Sequence, residues 1–153
     1  METSCIRRNN LIILIKFILK VIAVTEKIKI LLDTNFLLTM VRNKIFGLEQ
    51  LKGKLPVEFF TLSRVLIELQ GLGKNDKKIK KEVELVNKIL ELNFVRVIES
   101  KIINVDEELV KLSKEYVIAT NDKELRRKVH QNGGKTVFIR SLTYIDTSDI
   151  LEE

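Results

Sequence analysis

Short apolar runs alternate with segments of helical period from Lys27 onward, and this order predicts strands separated by helices. The runs that fit buried strands are residues 29–32, 58–62, 94–98, 116–120 and 136–140. The segments that fit helices are residues 36–41, 45–51, 75–92 and 105–113, with two more that follow Ser63 and Asn121 as N-caps. The pattern therefore predicts an α/β fold, a three-layer sandwich with a central five-stranded parallel sheet.

The amino-terminal segment has a different pattern. Leu11 to Val24 is apolar except for Lys16 and Lys20, and Arg7 and Arg8 precede it. Fourteen residues fall short of the roughly 20 that a membrane-spanning helix needs, and two lysines interrupt the run, so neither an export signal nor stable membrane insertion is expected. A helix here would need a partner surface, a membrane interface or its own domain to cover it, unless translation starts downstream and the segment is an appendage.

The expected organisation is an extension over residues 1–26, one domain over 27–142 and a tail over 143–153. Rare residues exclude several chemistries: Cys5 and His130 are the only Cys and His, so an internal disulfide and a Cys/His zinc site are ruled out. His130 precedes Gly133 and Gly134 at a predicted helix end, which favours a capping or surface role over catalysis. A reducing, cytoplasmic location is expected, with carboxylates as the remaining reactive groups.

Acidic residues recur where the strands end. Asp33 and Asp122 follow two strands, Glu68 lies on a predicted helix, and Asp106 with Glu107 opens another. Helix capping explains each aspartate singly. Together they place four acidic positions at the carboxyl edge of one sheet, where their repulsion is relieved if divalent cations neutralise them.

Three segments carry a family resemblance: residues 33–38, residues 105–110 and residues 117–127, together with Glu68. Their order and spacing resemble the PIN domain, closest to archaeal proteins related to small-subunit rRNA processing nucleases and more distantly to toxin ribonucleases of toxin-antitoxin systems. The resemblance spans about residues 28–140. It implies a Rossmann-like α/β/α sandwich and a single-strand-specific endoribonuclease that depends on Mg²⁺ or Mn²⁺.

The resemblance also assigns the site. Asp33, Glu68 and Asp122 match the metal-holding positions; Glu107 aligns with the usual third aspartate, and Asp106 beside it is the alternative. Thr120 matches the hydroxyl that supports the site, and Asn35 is expected to orient Asp33. The metal would activate a water for in-line attack on an RNA phosphodiester.

Lysine and arginine number 27 against 21 acidic residues, a net charge of +6 that favours an anionic partner. The candidates for RNA phosphate contacts are Arg64, Lys74, Lys123, Arg126, Arg127 and Arg140. No aromatic-rich stacking platform is evident. Two alternatives stay open: a catalytically weak or inactive RNA-binding scaffold in ribosome maturation, for which Glu107 argues, and a toxin ribonuclease held by an antitoxin. A homodimer and a ribosome-assembly partner are further expectations from the resemblance.

Overall fold

The chain folds, in a computed structural model that describes residues 2–151, around a six-stranded sheet. The strands are β1 (Ile28–Leu32), β2 (Val57–Leu62), β3 (Arg96–Ile98), β4 (Val117–Ala119), β5 (Thr136–Arg140) and β6 (Tyr144–Asp146). The helices are α1 (Glu2–Thr25), α2 (Thr34–Arg42), α3 (Gly47–Lys54), α4 (Ser63–Leu72), α5 (Lys77–Leu92), α6 (Val105–Leu112), α7 (Lys123–Gln131) and α8 (Ser148–Leu151).

The sheet has the strand order β3-β2-β1-β4-β5-β6. Strands β1 to β5 are parallel, with Ile30 opposite Phe59 on one side and Val117 on the other. The predicted α/β sandwich is confirmed. The prediction of five strands was incomplete, because residues 144–146, assigned to the tail, pair with β5 as an antiparallel sixth strand.

The core lies on both faces of the central strands. Ile30, Leu31 and Leu32 of β1 are each fully buried, as expected where helices cover both faces of a parallel sheet. Helices α2, α4 and α5 pack together on one face, and α6 and α7 pack together on the other. A continuous apolar run, rather than alternation, is therefore the sequence signature of β1.

The strand order reverses at β1, which lies between β2 and β4. In open α/β sheets the ligand crevice lies beyond the carboxyl ends of the strands at this point. Because α2, α4 and α7 directly follow β1, β2 and β4, their amino termini also lie at this edge. The positive ends of these helix dipoles stabilise anions there.

Two predicted caps were wrong. Asp122, not Asn121, caps α7: its Oδ1 accepts hydrogen bonds from the backbone N–H groups of Glu124 and Leu125. Asn121 instead accepts from the Ile139 N–H, which ties the end of β4 to β5. Ser63 is the first residue of α4, and its hydroxyl oxygen accepts from the Ser100 N–H after β3. Both side chains bind segments that are close in space but distant in sequence, so the local spacing of residues does not reveal these partners.

Helix α1 contains the apolar amino-terminal run. Every apolar side chain from Leu11 to Val21 is at least 45% exposed, so the domain does not cover this stretch. Within residues 2–151, no helix is both long and apolar enough to cross a bilayer. Met1, Glu152, Glu153 and the side chains of residues 2–6, Cys5 among them, and 23–25 lie outside the described part of the chain.

Candidate active site

Asp33 is the buried centre of the acidic edge. It follows β1, is 6% exposed, and caps α2 by accepting the Thr34 N–H at its Oδ1 over 2.8 Å. Its other oxygen, Oδ2, accepts the Thr120 hydroxyl over 2.8 Å. The backbone N–H of Asp33 donates to the Ala119 carbonyl at the end of β4. Both carboxylate oxygens are therefore held in fixed directions, Oδ1 by the first residue of α2 and Oδ2 by the residue that follows β4.

Burial raises the pKa of Asp33 to about 6. The hydrogen bonds from Thr120 and Thr34 oppose the shift, because they favour the carboxylate, whereas the negative charges of Asp106 and Glu68 add to it. The direction shows that this site is unfavourable for an anion without a nearby cation. A divalent ion beside Asp33 would remove that penalty.

Thr120 links Asp33 to Asn35 and Asp122. Its hydroxyl oxygen lies 3.2 Å from Asn35 Oδ1 and accepts the Asp122 N–H over 3.2 Å. Asn35 Oδ1 also accepts the Asn121 N–H. Asn35 therefore contacts Thr120 and the start of the β4–α7 loop, so its expected effect on the orientation of Asp33 would act through Thr120. Since a hydroxyl carries one proton, the shorter contact favours donation to Asp33 when Asp33 is ionised.

Glu68 is joined to the same centre by Thr34. The Thr34 hydroxyl donates to Glu68 Oε2 over 2.7 Å, while the Thr34 N–H binds Asp33. One residue therefore sets the positions of two carboxylates from different strand-helix units. The role of Thr34 is not evident from the sequence, where the only signal is a hydroxyl residue directly after Asp33.

Asp106 is the member of α6 that faces the other acids. Burial raises its pKa, with further contributions from the charges of Asp122 and Glu68, while Lys128 acts in the opposite direction. Glu107 lines a cleft of about 480 Å³ together with Asp106 and Lys128, and its N–H is capped by Asn104. Of the two alternatives left open by the sequence, these interactions favour Asp106.

The acidic cluster, defined as Asp33, Glu68, Asp106 and Asp122, is a set of hard oxygen donors that repel one another. Such a donor set fits Mg²⁺ or Mn²⁺. No three acidic, His or Cys side chains of the described residues already converge on a single metal position. The outer carboxylates Glu68 and Asp106 are exposed, so they are less confined by packing than the buried Asp33.

The predicted phosphate-binding residues divide into groups. Lys123, Arg126 and Arg127 line one shallow depression on α7, and Arg64 lies in the first turn of α4. The guanidinium of Arg126 lies 3.9 Å from the Phe138 ring centre, and that of Arg140 lies 5.2 Å from it. Lys74 instead follows the carboxyl end of α4 and lines a separate pocket with Lys80. It is therefore not grouped with the acidic cluster.

Two of these arginines already have acidic partners. Arg127 pairs with Glu124, and Arg140 pairs with Asp146 on β6. Arg126 Nε is buried without a hydrogen-bond partner within the described residues. His130, for which a capping or surface role was expected, is exposed and pairs with Asp149 at 2.9 Å.

The chain is similar to known proteins in sequence and in structure. No protein-family model matches the chain. Ribonuclease VapC4 of Methanocaldococcus jannaschii is 28% identical over 124 residues, which span 77% of this chain and 95% of that protein.

Two solved structures resemble the fold. The PIN domain endonuclease Utp24 superposes with a TM-score of 0.63 at 20% identity, covering 77% of this chain and 90% of that one. A domain of a functionally unknown protein from Methanocaldococcus jannaschii DSM 2661 gives a TM-score of 0.52 at 16% identity, covering 74% and 91%. At these identities the likeness establishes the fold.

Proposed function

Because this chain has the fold of a PIN domain and is similar in sequence to a ribonuclease, we propose that it is a divalent-metal-dependent endoribonuclease that hydrolyses phosphodiester bonds of single-stranded RNA. The observation that carries the proposal is the buried Asp33, held at both oxygens at the strand-order reversal, with the negative charges of Asp106 and Glu68 acting on it. A relative named as a ribonuclease and a structural neighbour named as an endonuclease support the same reaction class.

The residues proposed to hold Mg²⁺ or Mn²⁺ are Asp33, Glu68, Asp106 and Asp122, with Asp106 in place of Glu107. When bound, such an ion lowers the pKa of a water and stabilises the charge that develops on the scissile phosphate. Asp33 and Asp122 are fixed by cap hydrogen bonds, which reduces the entropy lost when they bind an ion. Both cap bonds of Asp122 use Oδ1, so Oδ2 lies outside the cap.

The chain's own residues keep the carboxylates in position. Thr120 and Thr34 donate hydrogen bonds that favour the ionised form of Asp33, the form that a cation needs. Thr34 also directs Glu68, and Lys128 favours the ionised form of Asp106. None of these residues acts as a nucleophile, because water is the attacking group in hydrolysis.

RNA must approach an acidic edge, so cations at the rim are needed to attract it. Arg64, Lys123, Arg126, Arg127 and Arg140 are proposed to contact its phosphates. Arg126 is the strongest candidate, because its guanidinium is positioned by stacking on Phe138, whereas Arg127 and Arg140 are already paired with acids. Contacts to phosphates do not select a base sequence, so the proposal includes no sequence preference.

A cleavage assay with matched RNAs tests this function. Purified full-length protein is incubated with one labelled RNA, either single-stranded or annealed to its complement, in Mn²⁺, Mg²⁺ or EDTA. The proposal expects internal cleavage of the single strand in either metal, little cleavage of the duplex, and none in EDTA. Binding without cleavage in every metal would instead support the RNA-binding scaffold.

A further inference from the structure

Phe94 has the most exposed large apolar side chain among the described residues, at 84%. Its backbone also lies in the left-handed region, with φ of 53°. The Phe94 N–H donates to the Glu91 carbonyl and the Val95 N–H donates to the Leu90 carbonyl, which is the Schellman pattern at the end of α5. Glycine usually occupies this position, so a phenylalanine here adds backbone strain without contributing to the core.

The turn that presents Phe94 is anchored by Asn93, which is 3% exposed. Asn93 Nδ2 donates to Glu49 Oε1 over 3.0 Å and to the Ile89 carbonyl over 2.9 Å. The Asn93 carbonyl accepts the Lys52 ammonium over 2.8 Å, and that ammonium lies 5.5 Å from the Phe94 ring centre. The ring is thus held on a fixed turn beside a fixed cation.

Phe94 borders a pocket of about 280 Å³, here called the Phe94 pocket. Its principal lining residues are Lys27, Lys52, Glu58, Phe59, Phe94 and Arg96. Three are cations, and Glu58 is the acid among them, 3.9 Å from Arg96. Glu49, the other nearby acid, is engaged by Asn93. The pocket therefore combines an exposed aromatic face with a surplus of positive charge.

The Phe94 pocket lies at the opposite edge of the sheet from the acidic cluster. Lys27 directly precedes β1 and Arg96 begins β3, whereas Asp33 follows the far end of β1. Five strand residues separate the two edges by roughly 17 Å. A short oligonucleotide is long enough to contact both edges.

We propose that the Phe94 pocket binds a nucleobase and its phosphate from the same single-stranded RNA that the acidic cluster cleaves, an inference that rests on the proposed function. A base stacks on an aromatic ring whatever its identity, and lysine and arginine neutralise the adjacent phosphates. A free nucleotide presents the same chemistry. Single-stranded RNA is the proposed ligand because the Phe94 pocket and the acidic cluster lie on one small domain.

The test uses a substitution that the backbone favours. Phe94→Gly removes the ring and relieves the positive φ, so the thermal midpoint should stay equal or rise. Phe46→Ala is the matched control, because Phe46 is also exposed, at 65%, but lies outside the pocket. Full-length wild type and both variants are titrated into a fluorescent 12-nucleotide oligouridine in EDTA, with fluorescence anisotropy as the readout.

The expected result is an affinity loss of roughly 5- to 150-fold for Phe94→Gly, the range of one lost base stack, and no change for Phe46→Ala. Equal binding by wild type and Phe94→Gly, or no binding by wild type, would overturn the pocket. A uridine 5′-monophosphate titration separates the ligand sources. If it binds as tightly as the oligomer and depends on Phe94, the RNA assignment is overturned in favour of a free nucleotide.

Failure of the pocket is distinguishable from failure of the ribonuclease. If the wild-type protein cleaves RNA in Mn²⁺ but binds RNA independently of Phe94, the proposed ribonuclease function stands and the proposed role of the Phe94 pocket is rejected. If the protein binds RNA through Phe94 but never cleaves it, the Phe94 pocket stands as an RNA-binding site and the proposed ribonuclease function is rejected.

Discussion

The Thr120 hydroxyl at the end of β4 donates a 2.8 Å hydrogen bond to the Asp33 carboxylate at the end of β1, across 87 residues of sequence. This bond crosses the point where the strand order reverses, so the fold itself brings its two partners together. It also opposes the effect of burial on Asp33, because it stabilises the ionised form. In the absence of a cation, burial therefore favours the protonated form of Asp33, and the hydrogen bond from Thr120 favours the ionised form.

Asp33→Asn should stabilise the metal-free protein at neutral pH. The folded-state pKa of Asp33 is about 6 against 3.8 for an unperturbed aspartate, so the folded state binds more protons between these values. The unfolding free energy should therefore fall as pH rises through that window, by about 3 kcal/mol in all. Asparagine keeps the shape without the charge.

Chemical denaturation between pH 4 and 8 in EDTA measures this effect. Wild type should lose stability on going from pH 4 to 7, and Asp33→Asn should show a flatter profile. Saturating Mn²⁺ should flatten the wild-type profile as well, because the ion favours the carboxylate. A wild-type protein that becomes more stable over the same window, with no difference in Asp33→Asn, would contradict the account.

Thr34→Val should reduce cleavage by about 10- to 100-fold, as is typical when a group that orients a metal ligand is lost. The substitution keeps the side-chain volume but removes the hydroxyl that binds Glu68. Thr39→Val is the control on the same helix, since the Thr39 hydroxyl binds the backbone carbonyl of Asn35. Initial cleavage rates across a Mn²⁺ titration separate weaker metal binding from misfolding. Equal losses in both variants would point to a general helix effect.

Arg126→Ala should weaken RNA binding and lower the salt dependence of the affinity by about one unit of log–log slope, because one phosphate contact is lost. Lys74→Ala should leave both quantities unchanged, since Lys74 lies past the far end of α4. Binding isotherms between 50 and 200 mM salt provide the slopes. Identical slopes for Arg126→Ala and wild type would show that Arg126 does not contact an RNA phosphate.

Deleting residues 1–26 should leave the thermal midpoint nearly unchanged, because the apolar side chains of α1 from Leu11 to Val21 are exposed rather than packed on the domain. The truncated protein should also aggregate less, since contiguous exposed apolar surface promotes association. Differential scanning fluorimetry and light scattering check the two expectations. A drop of several degrees would mean that α1 covers part of the core.

The sequence predicts the fold well because the buried strands are continuous apolar runs and the helices between them have clear periodicity. Strand β6 was missed because its pairing depends on Asp146, whose carboxylate accepts hydrogen bonds from both Arg140 and Ser148. The caps at Ser63 and Asn121 were misassigned because both side chains bind other parts of the sheet. Local spacing carries no information about such distant partners.

The sequence predicts which acidic residues form the candidate site, but not the hydrogen bonds that link them to Thr34 and Thr120. Asp33 and Asp122 could be found because each follows a buried strand. The choice between Asp106 and Glu107 depends on the rotation of α6, which two adjacent acids do not reveal. Thr34 as a shared support and Phe94 as an aromatic platform both depend on three-dimensional proximity. For that reason no stacking platform is evident from the sequence.

The most direct test of the central claim compares Asp106→Asn with Glu107→Gln in the single-stranded RNA cleavage assay. The account predicts Mn²⁺-dependent cleavage by wild type and by Glu107→Gln, no cleavage in EDTA, and a loss of about 100-fold or more for Asp106→Asn. Circular dichroism confirms that both variants fold. Cleavage that persists in EDTA, or that survives Asp106→Asn as well as it survives Glu107→Gln, would contradict a metal site built on Asp33, Glu68, Asp106 and Asp122.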